Sequence, residues 1–172
     1  EFFVRHPETY TFYRYFKDHG VKNIKFYAGF PKHSFDRIMS MIELGMGSEE
    51  EIDFYGTKVE PVEFLTQVLK RLKIPEGYKE KENLWVRVYG HKNGKKKKIV
   101  MECIVPTLKG WEDAGCNIDT GMPASILAQM IKTGVITEKG SFAPEGVVPP
   151  EPFFKELRKK KMDVLENGMV IN

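Results

Sequence analysis

The feature that most constrains the fold is a pair of alternating segments joined by Asn93-Gly94. Apolar side chains recur at every second position over residues 84–88 and again over residues 99–105. Asn-Gly between two such runs is the strongest short-range signal for a β-hairpin, so we predict two antiparallel strands here. Cys103 then points toward the packed face of the sheet, where we interpret it as a small apolar residue rather than a nucleophile.

An almost wholly apolar segment, residues 120–134, predicts a buried helix. Thr120 is placed to cap it, Pro123 suits a first turn where its missing N–H costs nothing, and Gly134 supplies a left-handed end. The predicted inner stripe consists of Ala124, Leu127, Ala128 and Ile131, with Ile126 and Met130 beside it.

Apolar periodicity and end signals place four more helices around this pair of features. They cover residues 7–19, 34–46, 61–73 and 153–160, and short strands are expected at residues 2–5 and 24–28. Helices mixed with a hairpin predict an α+β (mixed α/β) fold, in which helices cover one face of an antiparallel or mixed sheet.

Composition excludes several classes of protein. The 172 residues carry 41% hydrophobic and 30% charged side chains, as an ordinary globular protein does. A net charge of +3 is too small to indicate a nucleic-acid partner, and no apolar run reaches the length of a membrane span. Two cysteines, Cys103 and Cys116, are too few for a disulfide framework, so a reducing cytoplasm is the expected compartment.

Motifs that identify a reaction by themselves do not occur. The sequence has no G-x-G-x-x-G, no P-loop, no C-x-x-C and no H-E-x-x-H, and its four histidines lack metal-ligand spacing, so no metal site is predicted. The run Lys95-Lys96-Lys97-Lys98 falls at the hairpin tip, where lysines protect a sheet edge from pairing more readily than they bind nucleic acid.

Arg5 is the most informative cation. It follows an apolar strand and precedes a helix start at Pro7, a place where a guanidinium can be held rigidly and offer two donors to a carboxylate. The residues alone leave open that Arg5 is an ordinary surface or ion-paired arginine.

Two segments resemble the saccharopine dehydrogenase-like oxidoreductases: Val4-Arg5-His6-Pro7-Glu8, and the helix start at Thr120-Gly121 with the Met-Pro-Ala that follows. The resemblance implies that Arg5 contacts a carboxylate of an amino-acid substrate and that His6, which follows it, also binds the substrate. His6 stands where the family usually has another aromatic residue, and Glu8 stands where it usually has a small one. The resemblance also makes Thr120 and Gly121 possible residues of the substrate cleft. The alternative is that these two residues have a purely structural role.

The resemblance also implies an activity and a domain plan. The intact protein would be an NAD(P)-dependent dehydrogenase of lysine metabolism, acting on the CH–NH bond of saccharopine or lysine. NAD or NADP would be bound by a Rossmann half that is absent from this sequence. The chain begins at residue 1 as if in mid-strand. Without the Rossmann half, it is expected to be inactive alone.

Within the chain, residues 1–119 are expected to bind substrate and to form a homodimer, and residues 120–172 to pack toward the nucleotide-binding domain as a helical segment. No catalytic residue is assigned. A non-catalytic oligomerisation or binding module of the same fold and a carboxynorspermidine-type dehydrogenase remain as alternatives.

Overall fold

The computed structural model describes residues 2–29, 31–73, 76–77, 79, 81–112 and 117–172. Backbone contacts divide the chain into two compact units, Glu1–Ile74 (unit 1) and Pro75–Asn172 (unit 2). The described residues form six α-helices and eight antiparallel-paired strands, which confirms the α+β class. The predicted division at residues 119 and 120 concerns function, and it stays a prediction.

Unit 1 opens with a strand, a helix and a returning strand. The strands β1 (Phe2–Val4) and β2 (Phe26–Ala28) pair antiparallel, with Val4 opposite Phe26. Between them lies α1 (Pro7–Phe16), which continues into a 3-10 turn and ends at Gly20, whose φ of 80° is left-handed. The predicted helix over residues 7–19 is therefore confirmed, since Pro suits its first position and Gly its end.

The rest of unit 1 holds two helices and a short hairpin. The helices α2 (Lys32–Glu43) and α3 (Pro61–Leu69) correspond to predicted ones, although α2 starts two residues before Ser34 and both end earlier than expected. The strands β3 (Ile52–Phe54) and β4 (Thr57–Val59) pair around a turn at Tyr55-Gly56 and were not predicted, because three residues are too few to show a clear alternation.

Unit 2 is built on the predicted hairpin. Its strands β5 (Lys81–Lys92) and β6 (Lys95–Pro106) pair along their whole length, with Leu84 opposite Cys103. Asn93 and Gly94 take φ values of 54° and 74°, as a two-residue hairpin turn of this kind requires. Two C-terminal strands, β7 (Asp163–Glu166) and β8 (Met169–Val170), extend the sheet in the order β5-β6-β7-β8.

One face of this sheet is covered by the helices α4 (Asn117–Lys132) and α6 (Pro150–Lys159), and α6 packs against both α4 and β7. The short helix α5 (Pro144–Val147) lies between them in the chain. Cys103 packs against the resulting core, as predicted. The buried core residues come from strands, helices and connections: Val105, Ile118, Ile126, Met130, Ile136, Leu157, Met162 and Val164.

The helix α4 differs from its prediction. It starts at Asn117, so Thr120 lies inside the helix rather than capping it, and Pro123 is an interior residue. Its buried residues are Ile118, Ile126 and Met130, whose spacings of eight and four positions place them on one face of the helix. Three residues of the predicted inner stripe are exposed instead: Ala124, Ala128 and Ile131. An apolar pattern on all sides of a helix gives no preferred side, so the sheet decides which face is buried.

The last residue of the chain joins α6 to β7. The Oδ1 atom of Asn172 accepts a hydrogen bond from the Val164 N–H at 2.9 Å. Its Nδ2 donates to the carbonyl oxygens of Phe154, at 3.0 Å, and Met162, at 2.9 Å. One planar amide thus satisfies three backbone groups between a helix and a strand.

We expect Ile126→Ala to lower the free energy of unfolding by about 3 kcal/mol, because it removes buried carbon atoms and leaves a cavity. The side chain of Ile126 is 1% exposed and that of Ile131, on the same helix, is 61% exposed. Urea unfolding of this chain measures both variants, and Ile131→Ala serves as the matched control with less than about 1 kcal/mol of change. Equal losses in the two variants would contradict the observed face of α4.

Candidate functional site

The junction between β1 and α1 holds the two residues predicted to bind substrate. Arg5 follows the last residue of β1, and His6 occupies the extended position just before α1, with φ −140° and ψ 146°. The carbonyl oxygen of His6 accepts hydrogen bonds from the Thr9 N–H at 3.1 Å and from Thr9 Oγ1 at 2.7 Å. These bonds close the first turn of the helix and fix the backbone that carries both side chains.

The Arg5 side chain is exposed. Across the described part of the chain, its guanidinium makes neither an ion pair nor a hydrogen bond. Its five N–H donors are therefore available to a ligand, and a planar guanidinium matches a carboxylate through two parallel bonds. The substrate-binding role of Arg5 stays a prediction.

The His6 ring is held by two contacts. It stacks on Phe26 of β2, with ring centroids 4.0 Å apart and planes 9° apart. Its Nδ1 atom contacts the Oε2 atom of Glu8, a residue in the first turn of α1 where a carboxylate also suits the positive end of the helix. The sequence singled out both His6 and Glu8, but it did not indicate that the two side chains contact each other.

Thr120 and Gly121 lie in unit 2, within the first two turns of α4. Both residues are exposed, Thr120 Oγ1 donates to Asp119 Oδ1 at 3.2 Å, and a Cβ added at Gly121 would meet nothing within 4 Å. Pro123 has no N–H to donate to the carbonyl oxygen of Asp119, one turn earlier in the helix. That these residues line a substrate cleft stays a prediction, because they and Arg5 belong to different units.

Residues that could hold a metal or a dinucleotide do not gather in the ranges that the structure describes. No group of three or more His, Cys, Asp or Glu side chains is close enough there to bind a metal ion. Every strand pair in those ranges is antiparallel, whereas a dinucleotide is bound at the carboxyl ends of parallel strands. The described ranges therefore do not contain the parallel strands of a doubly wound dinucleotide-binding fold, and the place where NAD or NADP binds stays a prediction.

Two further features of the described residues bear on the class of protein. No described helix combines the length and the apolar character that crossing a bilayer requires. A small pocket near the end of β6, lined in part by Val105, Pro106 and Trp111, has room for about one water molecule, so it cannot hold an amino acid.

Cys103 is half-buried on β6. Burial raises the pKa of its thiol above the ordinary range, and the negative charges of Asp163 and Asp119 raise it further. Since the thiolate is the reactive form, these surroundings oppose a nucleophilic role, in agreement with the interpretation of Cys103 as an apolar residue. Cys116 lies outside the described residues.

We expect Cys103 to react with iodoacetamide several-fold more slowly in the folded chain than in urea at pH 8. The folded thiol keeps its proton to a higher pH, so a smaller fraction is thiolate, and the helices restrict access to it. Mass spectrometry of the peptide that contains Cys103 measures the alkylation rate in both states. Equal rates in the two states would show that this side of the sheet is open.

The chain matches a known protein family. The model described as the saccharopine dehydrogenase C-terminal domain matches residues 2–163. The matched range takes in most of both units, including the β1–α1 junction and the start of α4.

Proposed function

Because the chain belongs to the saccharopine dehydrogenase C-terminal domain family, we propose that the intact protein is an NAD(P)-dependent oxidoreductase acting on the CH–NH bond of an amino acid. Saccharopine and lysine are the proposed substrates. Residues of this chain bind the substrate, and the nucleotide is bound by another part of the protein, since the described residues lack a parallel strand pair for it. When bound, the nicotinamide exchanges a hydride with the substrate carbon that carries the amine.

The observation that carries this proposal is the Arg5 guanidinium, which has no partner among the described residues and precedes a fixed turn of backbone. An exposed arginine without a protein partner keeps its donors for a ligand, and the bonds from Thr9 to the His6 carbonyl hold the adjoining backbone in place. A carboxylate bound at Arg5 fixes one end of an amino-acid substrate, and such orientation supplies a large part of enzymatic rate enhancement. His6, held by Phe26 and Glu8, forms the adjoining wall of the proposed site.

We propose further that the chain forms a homodimer through the sheet face opposite the core of unit 2. That face carries Tyr89 and Val170, both exposed, and half-buried Trp85 under the Arg87 guanidinium at 3.8 Å. Aromatic and arginine side chains are enriched where protein surfaces associate. No nucleic-acid or membrane partner is proposed, and the low cysteine content favours the cytoplasm.

Two alternative functions would give different results in an activity measurement. A carboxynorspermidine-type dehydrogenase would also need a carboxylate anchor at Arg5, but it would turn over a polyamine precursor instead of saccharopine or lysine. A non-catalytic oligomerisation or binding module would form the dimer and reduce no cofactor.

We expect Arg5→Ala in the intact protein to raise KM for saccharopine or lysine by about 10- to 150-fold, with a smaller change in kcat. The variant loses charge-assisted hydrogen bonds of about 1.5–3 kcal/mol to the substrate carboxylate. Cofactor reduction followed by absorbance, with each substrate and with NAD and NADP in turn, measures both constants.

Arg14→Ala is the matched control for Arg5→Ala, because Arg14 is an exposed arginine on the neighbouring helix α1. Its KM should equal that of the wild type. Turnover of saccharopine or lysine with an unchanged KM in Arg5→Ala would exclude the carboxylate anchor. No reduction of either cofactor by the wild type would exclude the proposed activity and favour one of the two alternatives.

We expect Val170→Lys to weaken the dimer at least about tenfold, since it places a charged side chain in the proposed interface, where it would lose water without gaining a partner. Val86→Lys is the matched control: the two valines are 50% and 49% exposed, and Val86 lies on the opposite face of the sheet. Sedimentation equilibrium of this chain gives the dimer dissociation constant of each. A monomeric wild type, or equal weakening by both variants, would exclude this surface.

A further inference from the structure

The sheet of unit 2 has an outer face, opposite the core, whose residues follow from the strand register. Successive side chains of a strand point to opposite faces, and Met101 and Cys103 of β6 pack against the core. The even-numbered residues of β6 therefore lie on the outer face. The register adds the odd-numbered residues of β5 and β7, and Val170 of β8. This outer face is the surface proposed above for the homodimer.

The half of the outer face nearest the hairpin tip is cationic. Arg87, Lys96 and Lys98 are exposed there on two neighbouring strands. The Arg87 guanidinium lies 3.8 Å from the centroid of the Trp85 ring, and Lys98 Nζ lies 5.8 Å from that of Tyr89. Such contacts hold a cation close to the surface of the sheet. Within the described residues none of the three cations forms an ion pair, so each is available to a carboxylate of another molecule.

The other half of the outer face carries two carboxylates. Asp163 of β7 already pairs with Arg158. Glu102 of β6 is half-buried, and its Oε1 atom accepts a hydrogen bond from Asn83 Nδ2 at 3.0 Å. No cation in the described part of the chain pairs with Glu102, so its carboxylate can accept further bonds. The cation that the register places at this end, Lys81, is the first residue of β5.

Apolar side chains occupy the middle of the outer face. Trp85, Val100 and Leu165 are half-buried there, and Val170 is 50% exposed. An apolar centre with charged groups around it is the usual composition of a surface at which proteins associate. The charges at the two ends then decide how two copies are oriented.

Two copies can stack outer face on outer face in two ways. Stacked sheets keep their strands aligned within about 30°, so the two-fold axis of a dimer runs either along the strands or across them. An axis along the strands brings the cationic halves of both copies together. An axis across the strands sets the cationic half of each copy against the half that holds Glu102 in the other. Opposite charges favour the second arrangement, and like charges oppose the first.

We propose that the homodimer has the second arrangement, with the two-fold axis crossing β6 near Val100, so that Lys98 of each copy contacts Glu102 of the other. Val100 lies midway between these two residues on the strand, and the axis therefore exchanges their positions. Arg87 lies opposite Val100 on β5, and its stacking on Trp85 directs the guanidinium away from the axis. The inference rests on the proposed function, because it concerns the homodimer proposed there.

The first test exchanges the two charges. We expect Lys98→Glu and Glu102→Lys each to raise the dimer dissociation constant at least about tenfold, because the symmetry places like charges together at two contacts. The double variant restores opposite charges, so its constant should return to within about threefold of the wild type. Sedimentation equilibrium of this chain measures all three variants.

Lys97→Glu is the matched control for Lys98→Glu. Lys97 is an exposed lysine on the same strand, and the register places it on the opposite face of the sheet. The substitution changes the net charge equally, and its dissociation constant should stay within about threefold of the wild type. Glu102→Gln is a milder variant that keeps an acceptor for Asn83 and removes only the charge, and it should weaken the dimer about three- to tenfold. Circular dichroism checks that each variant is folded.

The second test measures the orientation directly. A spin label on Lys96→Cys, in a chain that also carries Cys103→Ala and Cys116→Ser, marks the hairpin tip of each copy. Residue 96 lies four positions from the proposed axis, so the two labelled positions should be about 27 Å apart along the strands. An axis along the strands would leave them about 10 Å apart, the distance between stacked sheets. Pulsed electron paramagnetic resonance distinguishes these distances.

The outcomes separate this inference from the proposed function. If the wild type is monomeric, the proposed homodimer is wrong and the arrangement is wrong with it, while the proposed activity is judged by turnover alone. If Val170→Lys weakens a wild-type dimer but the double charge variant dimerises no better than the single ones, the surface stands and the arrangement is wrong. Labels about 10 Å apart, or equal weakening by Lys97→Glu and Lys98→Glu, would also overturn the arrangement.

Discussion

Burial of one face of the four-stranded sheet under α4 and α6 is the interaction on which unit 2 depends. Val105 and Val164 face this layer from adjacent strands, and Ile126, Met130 and Leu157 face it from the helices. Because burial of apolar surface is the main favourable term in folding, this layer sets the positions of everything attached to it. Thr120 and Gly121 are exposed near the start of α4, and they are positioned by Ile118, Ile126 and Met130, which are buried on the same helix.

Unit 1 is held together differently. Among its described residues only Pro61 is buried, and ring contacts take the place of a closed core. Phe2 stacks on Phe35 with centroids 3.9 Å apart, and His6 stacks on Phe26. Such contacts orient the rings without burying them fully, so large aromatic side chains remain at the surface of unit 1. Exposed apolar surface of this kind is typical of domains that associate with other parts of a protein.

Local signals account for what could be predicted from the sequence. The hairpin of β5 and β6 follows from alternation and from the Asn-Gly turn, and α1 follows from Pro7 and Gly20, all within a few residues of each other. The buried face of α4 was predicted wrongly, because the sheet that selects it lies elsewhere in the chain. The pairing of β6 with β7 places Cys103 opposite Val164. No sequence pattern near either strand predicts this pairing. Arg5 and His6 were found by resemblance, but the partnership of His6 with Glu8 needed the backbone geometry at Pro7.

The three hydrogen bonds of Asn172 limit which side chains this position accepts. Its amide offers one acceptor to Val164 and two donors to the carbonyl oxygens of Phe154 and Met162. Aspartate has almost the same shape but no donor when ionised, so it would set a negative charge against two carbonyl oxygens. Exchange of one amide nitrogen for one carboxylate oxygen at this position would therefore loosen α6 from β7 without changing the size of the side chain.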